Sequence, residues 1–344
     1  MTNEQISTAL GGVSSSTLLH ILPAGAGGIS DYVERCVERQ PHAFSQALKE
    51  GDQIASTKSV LLHLSGYGYA RKGAPFWLLE KMIALRPQVE SFGIFFHEIY
   101  ATGPPWRTAF WMSPAQRYIA MRMVRLCDYW ITNRELSEAW LKSYSTTKLH
   151  ATLPVFSNVG EGRSPLVARS RTAVVFGGPE LRSSTYSRHG AELLSWARRH
   201  GISIVDIGAP MADLQLVARL KDLGVAFKGR LDAVTTGEIL SSAAFGCLTY
   251  DFRYVAKSGV FAAYSSYGLC PILFSTDYGA ADGLAPHVHY MPGLPAADIE
   301  QAAFIAMASN ASAWYKRHDL EQHVMTQACL WERSLQQRGV SFDE

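Results

Sequence analysis

Apolar runs of strand length alternate along most of the chain with segments whose apolar positions recur every three or four residues, the pattern of β-α-β units on a parallel sheet. The first half predicts strands at 17–22, 59–64, 92–96, 129–132 and, more weakly, 149–154. Amphipathic helices are expected between them at 29–38, 76–85, 114–126 and 135–143. A polar, Gly- and Arg-containing stretch at 157–171 then interrupts the alternation and reads as a linker. A second series follows, with strands at 173–176, 202–207, 225–227, 247–250 and 272–274 and helices at 185–199, 211–223, 235–244 and 259–267. Beyond 296 the pattern is that of one long terminal helix.

Two such series predict an α/β protein with two doubly wound sheets. The length of 344 residues agrees, because single cores stop growing above roughly 250 residues. A composition 47% hydrophobic and 18% charged can bury two cores and excludes disorder as the main state. The net charge of +2 gives no reason to expect nucleic acid as a partner. Five scattered cysteines without a Cys-x-x-Cys pair fit free thiols in a reducing compartment. Residues 1–14 lack the basic start and apolar stretch of a signal peptide, and no apolar window reaches the roughly 18 residues of a membrane span. The expectation is a cytoplasmic protein.

Candidate chemistry gathers where strands end. Gly25-Ala26-Gly27-Gly28 joins the first strand to the first helix, where glycines let a phosphate or sugar approach the backbone. A plain tight turn is the alternative. Ser30 replaces the third glycine of a dinucleotide fingerprint, and the second strand ends His63-Leu64-Ser65-Gly66 without an acidic ribose ligand, which argues against NAD. His97 and Glu98 follow the third expected strand. The imidazole there can bond a sugar hydroxyl, and Glu98 can orient it or act as a base; a buried structural histidine is the other reading. In the second half, Asp251, Tyr254, Lys257 and Ser258 lead into a helix, and the lysine, hydroxyl and helix end together suit a diphosphate. An exposed loop with a surface ion pair is the alternative. Arg182, in the loop after the first strand of that half, is a second candidate anion contact. Tyr67, Tyr100, Trp106 and Arg107 stand as acceptor-side candidates. The aromatic and cationic stretch 103–112, with Arg117, Arg122 and Arg125, fits a peripheral contact with an anionic membrane, a lid over an acceptor, or an ordinary packed loop. No His-Glu-x-x-His or Asp-x-Asp pattern points to a metal.

The order of Gly27-Gly28-Ile29, His97-Glu98, Asp128-Tyr129-Trp130-Ile131-Thr132 and Gly268-Leu269-Cys270-Pro271-Ile272-Leu273 resembles glycosyltransferase family 4 and its bacterial polysaccharide-assembly relatives. The resemblance implies a GT-B fold: two Rossmann-like domains facing a cleft, with a final helix crossing back. It implies an acceptor-binding domain at 1–165, a nucleotide-sugar-binding domain at 166–310 and a returning helix at 311–344. By it, His97 contacts the transferred sugar and Gly27 and Gly28 face the donor diphosphate. It further implies metal-independent hexosyl transfer from a nucleotide diphosphate sugar, a co-substrate rather than a cofactor, to a saccharide or lipid-linked saccharide in surface polysaccharide synthesis. One departure stands out. The family carries two glutamates eight positions apart before its Gly-x-Pro segment, where this chain has Val255 and Ala263. The stereochemical outcome is therefore left open. A non-catalytic sugar-binding or scaffold subunit, and a nucleotide-sugar epimerase or hydrolase on the same fold, remain the competing expectations.

Overall fold

The computed structural model describes residues 17–25, 27–102, 104–162, 169–295 and 300–339. Ala26, Gly103, the expected domain boundary at 165/166 and residues 1–14, on which the expectation about a signal peptide falls, lie outside the described residues. The chain divides into two compact units, one formed by Met1–Leu153 with Leu320–Glu344 and the other by Pro154–Asp319.

The first unit holds a six-stranded parallel sheet of β1 (Leu18–Pro23), β2 (Ala43–Leu48), β3 (Ser59–Leu64), β4 (Ser91–Phe96), β5 (Tyr129–Thr132) and β6 (Leu149–Thr152), in the order β2-β1-β3-β4-β5-β6. The central strands β1, β3, β4 and β5 are buried throughout, which is why they read as largely apolar runs without polar alternation. The helices are α1 (Gly28–Val37), the single turn α2 (Gly66–Tyr69), α3 (Phe76–Leu85), α4 (Thr108–Leu126) and α5 (Glu135–Lys142). Two expectations needed correction here. The sequence did not predict β2, because an edge strand buried only at Leu48 lacks the apolar run of its neighbours. Helix α4 begins at Thr108 rather than 114, so part of the aromatic stretch is helical and Pro114 lies inside the helix.

The second unit holds β7 (Ser170–Phe176), β8 (Ser203–Ile207), β9 (Ala226–Phe227), β10 (Ala243–Thr249), β11 (Cys270–Phe274) and β12 (Met291–Pro292), all parallel, in the order β12-β11-β10-β7-β8-β9. Its helices are α6 (Pro179–Arg199), α7 (Leu214–Asp222), α8 (Ala233–Ser242), α9 (Gly259–Ser266) and α10 (Gln301–Lys316). The expected long terminal helix is two helices. Helix α10 packs against α9 and β11, and α11 (Leu320–Gln337) packs on α1, β4, β5 and β6 of the first unit.

In each sheet the strand order reverses once, between β1 and β3 in the first and between β7 and β10 in the second. Ligands of open α/β sheets bind outside the carboxyl ends of strands at such points. The loops after β1, β3, β7 and β10 are therefore where chemistry is expected.

Candidate functional site

In the first unit, the loop after β1 turns through Gly25, whose φ of 132° is one that a side chain resists. Ser30 Oγ donates to the Gly25 carbonyl at 2.7 Å and holds the turn against α1. Gly27 precedes α1 and Gly28 opens it; both are exposed, and a Cβ on either would meet no atom within 4 Å. The backbone at the start of α1 is thus bare, as a cradle for a ligand oxygen needs.

His97 lies one residue past β4 and is buried to 8% exposure. Its ring stacks on Phe95 at 4.1 Å and meets the edge of Tyr32 at 5.4 Å. Its Nε2 is 3.0 Å from Nδ1 of the buried His63. The sequence reading gave Glu98 as a group that orients His97 or acts as a base. Glu98 is exposed, and its Oε2 accepts from Ser65 Oγ at 3.2 Å. His63 in turn reaches His20, Nε2 to Nδ1 at 3.0 Å, and His20 Nε2 reaches Gln40 Oε1 at 3.1 Å. Sequence reasoning missed His20 and His63. The available signal was a histidine inside each of two apolar strands, Leu18–Pro23 and Ser59–Leu64, and another just past a third, Ser91–Phe96. Burial pushes the His20 imidazole down to about 4, and burial together with the neighbouring rings lowers His63 well below its ordinary value, so both are neutral at pH 7.

The acceptor-side candidates belong to the same unit. Tyr67 is 46% exposed on the short α2, and Tyr100 is half-buried between the Trp140 ring and the Arg117 guanidinium, which lies 4.1 Å from its centroid. Trp106 is 83% exposed, and Arg107 caps α4 without a side-chain bond.

In the second unit, Asp251 caps a short 3-10 turn, Phe252–Lys257, and accepts from the Arg253 backbone and guanidinium at 3.0 and 2.7 Å. The surface ion pair that was the plainer alternative is thus present. Tyr254 and Lys257 are half-buried on this turn. Ser258 caps α9, its Oγ accepting from Phe261 N–H at 3.2 Å. The Val255 and Ala263 positions, where the family resemblance calls for glutamates, are 1% and 0% exposed, core sites that would not tolerate an unpaired carboxylate.

Arg182 corrects the reading of an exposed loop cation. Pro179 starts α6, and Arg182 falls on the inward face of its first turn at 1% exposure. Its Nε donates to Gly177 O at 2.9 Å, one terminal nitrogen pairs with Asp206, and the other donates to Ala209 O. The guanidinium ties the loop after β7 to the loop after β8; it is not presented to a ligand. Among the described residues no cluster of three His, Cys, Asp or Glu is placed to hold a metal ion.

No family model matches the sequence, and no curated protein matches it. The fold, by contrast, has clear counterparts, the GT-B glycosyltransferases. HepE of Anabaena, solved with UDP and glucose, aligns over 91% of this chain and 98% of its own with a TM-score of 0.57 at 12% identity. AviGT4, a glycosyltransferase involved in avilamycin A biosynthesis, covers 93% and 98% with a TM-score of 0.51 at 11% identity. An α-glucosyltransferase in complex with UDP covers 91% and 100% with a TM-score of 0.52 at 7% identity. The chain has the GT-B fold, with two Rossmann-like domains.

Proposed function

We propose that this protein is a glycosyltransferase that moves a hexosyl group from a nucleotide diphosphate sugar to a saccharide or lipid-linked saccharide in surface polysaccharide assembly. The observation that carries the reading is the match over nearly the full length of both chains to a fold whose solved members include complexes with UDP and glucose, joined to a bare glycine turn and a buried imidazole at one sheet's carboxyl edge. Fold alone does not fix reaction, so the residues carry the rest.

In this reading His97 contacts the sugar, and the Gly27-Gly28 backbone faces the diphosphate. Lys257 and the N-terminus of α9 beside Ser258 hold the diphosphate and stabilise the charge that develops as it leaves, which is electrostatic work usually worth more than any other single contribution. Asp251 and Tyr254 lie on the same turn. Trp106, just before α4, is 83% exposed, and Phe110 and Trp111 in the first turn of α4 are 41% and 70% exposed. Arg107 precedes the helix and its charged residues, Arg117, Arg122 and Arg125, are all arginines, so this stretch is read as the peripheral contact with an anionic membrane. Binding to anionic vesicles lost in Trp106→Ala/Trp111→Ala supports that contact, and unchanged binding removes it.

The deciding experiment is a thermal-shift screen against uridine, guanosine and adenosine diphosphate sugars, followed by product analysis with labelled donor. One donor raising the melting temperature and giving a glycosylated product is expected. In His97→Ala, nucleotide binding persists and turnover falls by about 100-fold or more. Binding without transfer to any acceptor points to the scaffold reading, and free sugar or an epimer as the product points to the other enzymes on this fold.

A further inference from the structure

His20, His63 and His97 form a diagonal row across three adjacent strands. His20 on β1 is in register with Leu61 on β3, and His63 lies two residues beyond Leu61. His63 is in register with Phe95 on β4, and His97 lies two residues beyond Phe95. Alternation in a strand puts all three side chains on one face, and each step of two carries the row toward the carboxyl edge. The ring centroids lie 5.2 and 5.3 Å apart with planes inclined by only 20° and 26°, side by side as in-plane hydrogen bonds require, with the Tyr32 ring against His63 and His97.

The direction of every hydrogen bond in the row follows from its inner end. Gln40 Nε2 lies 3.5 Å from the Val324 carbonyl and 3.2 Å from Gln327 Oε1. A carbonyl only accepts, so this atom is the amide nitrogen, and the other Gln40 atom, facing His20 Nε2, is the oxygen. His20 therefore carries its proton on Nε2. Being neutral, it offers a lone pair at Nδ1, which takes the bond from His63 Nε2–H. His63 then offers Nδ1 to His97 Nε2–H. A neutral ring protonated at Nε2 has its basic lone pair on Nδ1.

We infer that Gln40, His20 and His63 are positioning residues that lock His97 as its Nε2–H tautomer, so that its Nδ1 accepts a hydrogen bond from a sugar hydroxyl rather than donating one. The ligand selected is a hydroxyl acting as donor, and a ligand group that can only accept is refused. This rests on the proposed contact between His97 and sugar, but the lock itself does not. Two buried imidazoles in an apolar strand pair are costly unless each nitrogen is matched, and here both nitrogens of His20 and His63 are matched in one consistent direction.

The test is long-range proton–nitrogen NMR of ring-labelled histidines in the wild type, in His63→Phe and in His63→Asn, with steady-state kinetics on each. The wild type is expected to show Nε2–H tautomers for all three rings. His63→Phe keeps a ring but no acceptor; His97 then samples both tautomers, and kcat falls by about tenfold while the donor KM holds, as when the partner that sets a liganding histidine's tautomer is removed. His63→Asn, whose amide oxygen takes the place of Nδ1, restores both. An Nδ1–H tautomer of His97 in the wild type overturns the inference, as does a folded His63→Phe with unaltered tautomer and kcat. Three Nε2–H rings in a protein that turns over no nucleotide sugar uphold the lock and count against the glycosyltransferase reading.

Discussion

Arg182 and Asp206 form an ion pair at 1% and 0% side-chain exposure beneath the exits of two neighbouring strands. Burial pushes the Asp206 carboxyl up, and the guanidinium opposite pulls it back. Because the same guanidinium also serves the Gly177 and Ala209 carbonyls, its removal strands a buried carboxylate and two acceptors at once. Arg182→Ala is expected to lose about 3–5 kcal/mol of stability, the range for breaking a buried pair from one side. Urea unfolding measures it. A midpoint equal to that of the wild type would show that the pair contributes nothing, and the variant is unsuited to testing nucleotide binding.

The reason the sequence misplaced Arg182 is instructive. The Gly177-Gly178-Pro179 run reads as a loop, yet proline at the first helical position starts α6 there. Arg182, Thr185, Tyr186, Leu193 and Trp196 then recur on one buried face, so the helical period contained the answer but an arginine in it was read as solvent-facing. The buried strands were legible because their runs are mostly apolar, interrupted in β1 and β3 by a single histidine each. Strand β2 was not, since an edge strand with one buried residue carries little pattern. His97 was legible from its place after a strand. Its partners were not, because the diagonal from His20 through His63 exists only once strand order and register are known.

A second packing relation lies at the switch point of the second sheet. The Tyr264 ring fills the space over Gly246 on β10, and its hydroxyl accepts from Phe176 N–H at 3.0 Å and reaches the Val174 and Cys247 carbonyls at 3.0 and 3.1 Å. A Cβ on Gly246 would fall inside that ring. Gly246→Ala is therefore expected to cost about 1–3 kcal/mol by overpacking, read as a lower melting temperature. Tyr264→Phe/Gly246→Ala should be no more stable than the single glycine variant, since the clash is with the ring. A melting temperature unchanged by Gly246→Ala would mean that the ring moves aside freely.

Lys257 differs from Arg182 in being half-buried at the end of a surface turn. Lys257→Ala is expected to keep the fold within about 0.5 kcal/mol and to weaken nucleoside diphosphate binding by about tenfold. With a lysine and a helix N-terminus meeting the diphosphate, transfer should also continue in excess chelator. Wild-type affinity in Lys257→Ala would move the diphosphate elsewhere, and activity that stops on chelation and returns only with magnesium or manganese would assign the charge stabilisation to the ion.

The buried imidazoles make stability depend on pH in a calculable direction. His20 falls from 6.5 to about 4 in the folded protein, and His63 falls well below 6.5, both chiefly through burial. For a base with a depressed folded pKa, the unfolded chain binds more protons than the native one between the two values, so stability rises with pH across that window. The contribution is full above the unfolded pKa of 6.5 and is lost as pH falls toward 4. From His20 alone the loss amounts to about 2 kcal/mol between about pH 7 and about pH 5, and His63 adds to it. Urea midpoints across this range measure the slope in the wild type and in His20→Gln, whose amide does not titrate. The variant is expected to be flatter in just this window, because carboxylates titrating in both proteins cancel in the comparison. Equal slopes would mean that His20 keeps an ordinary pKa in the fold, and with it that water reaches the row of histidines.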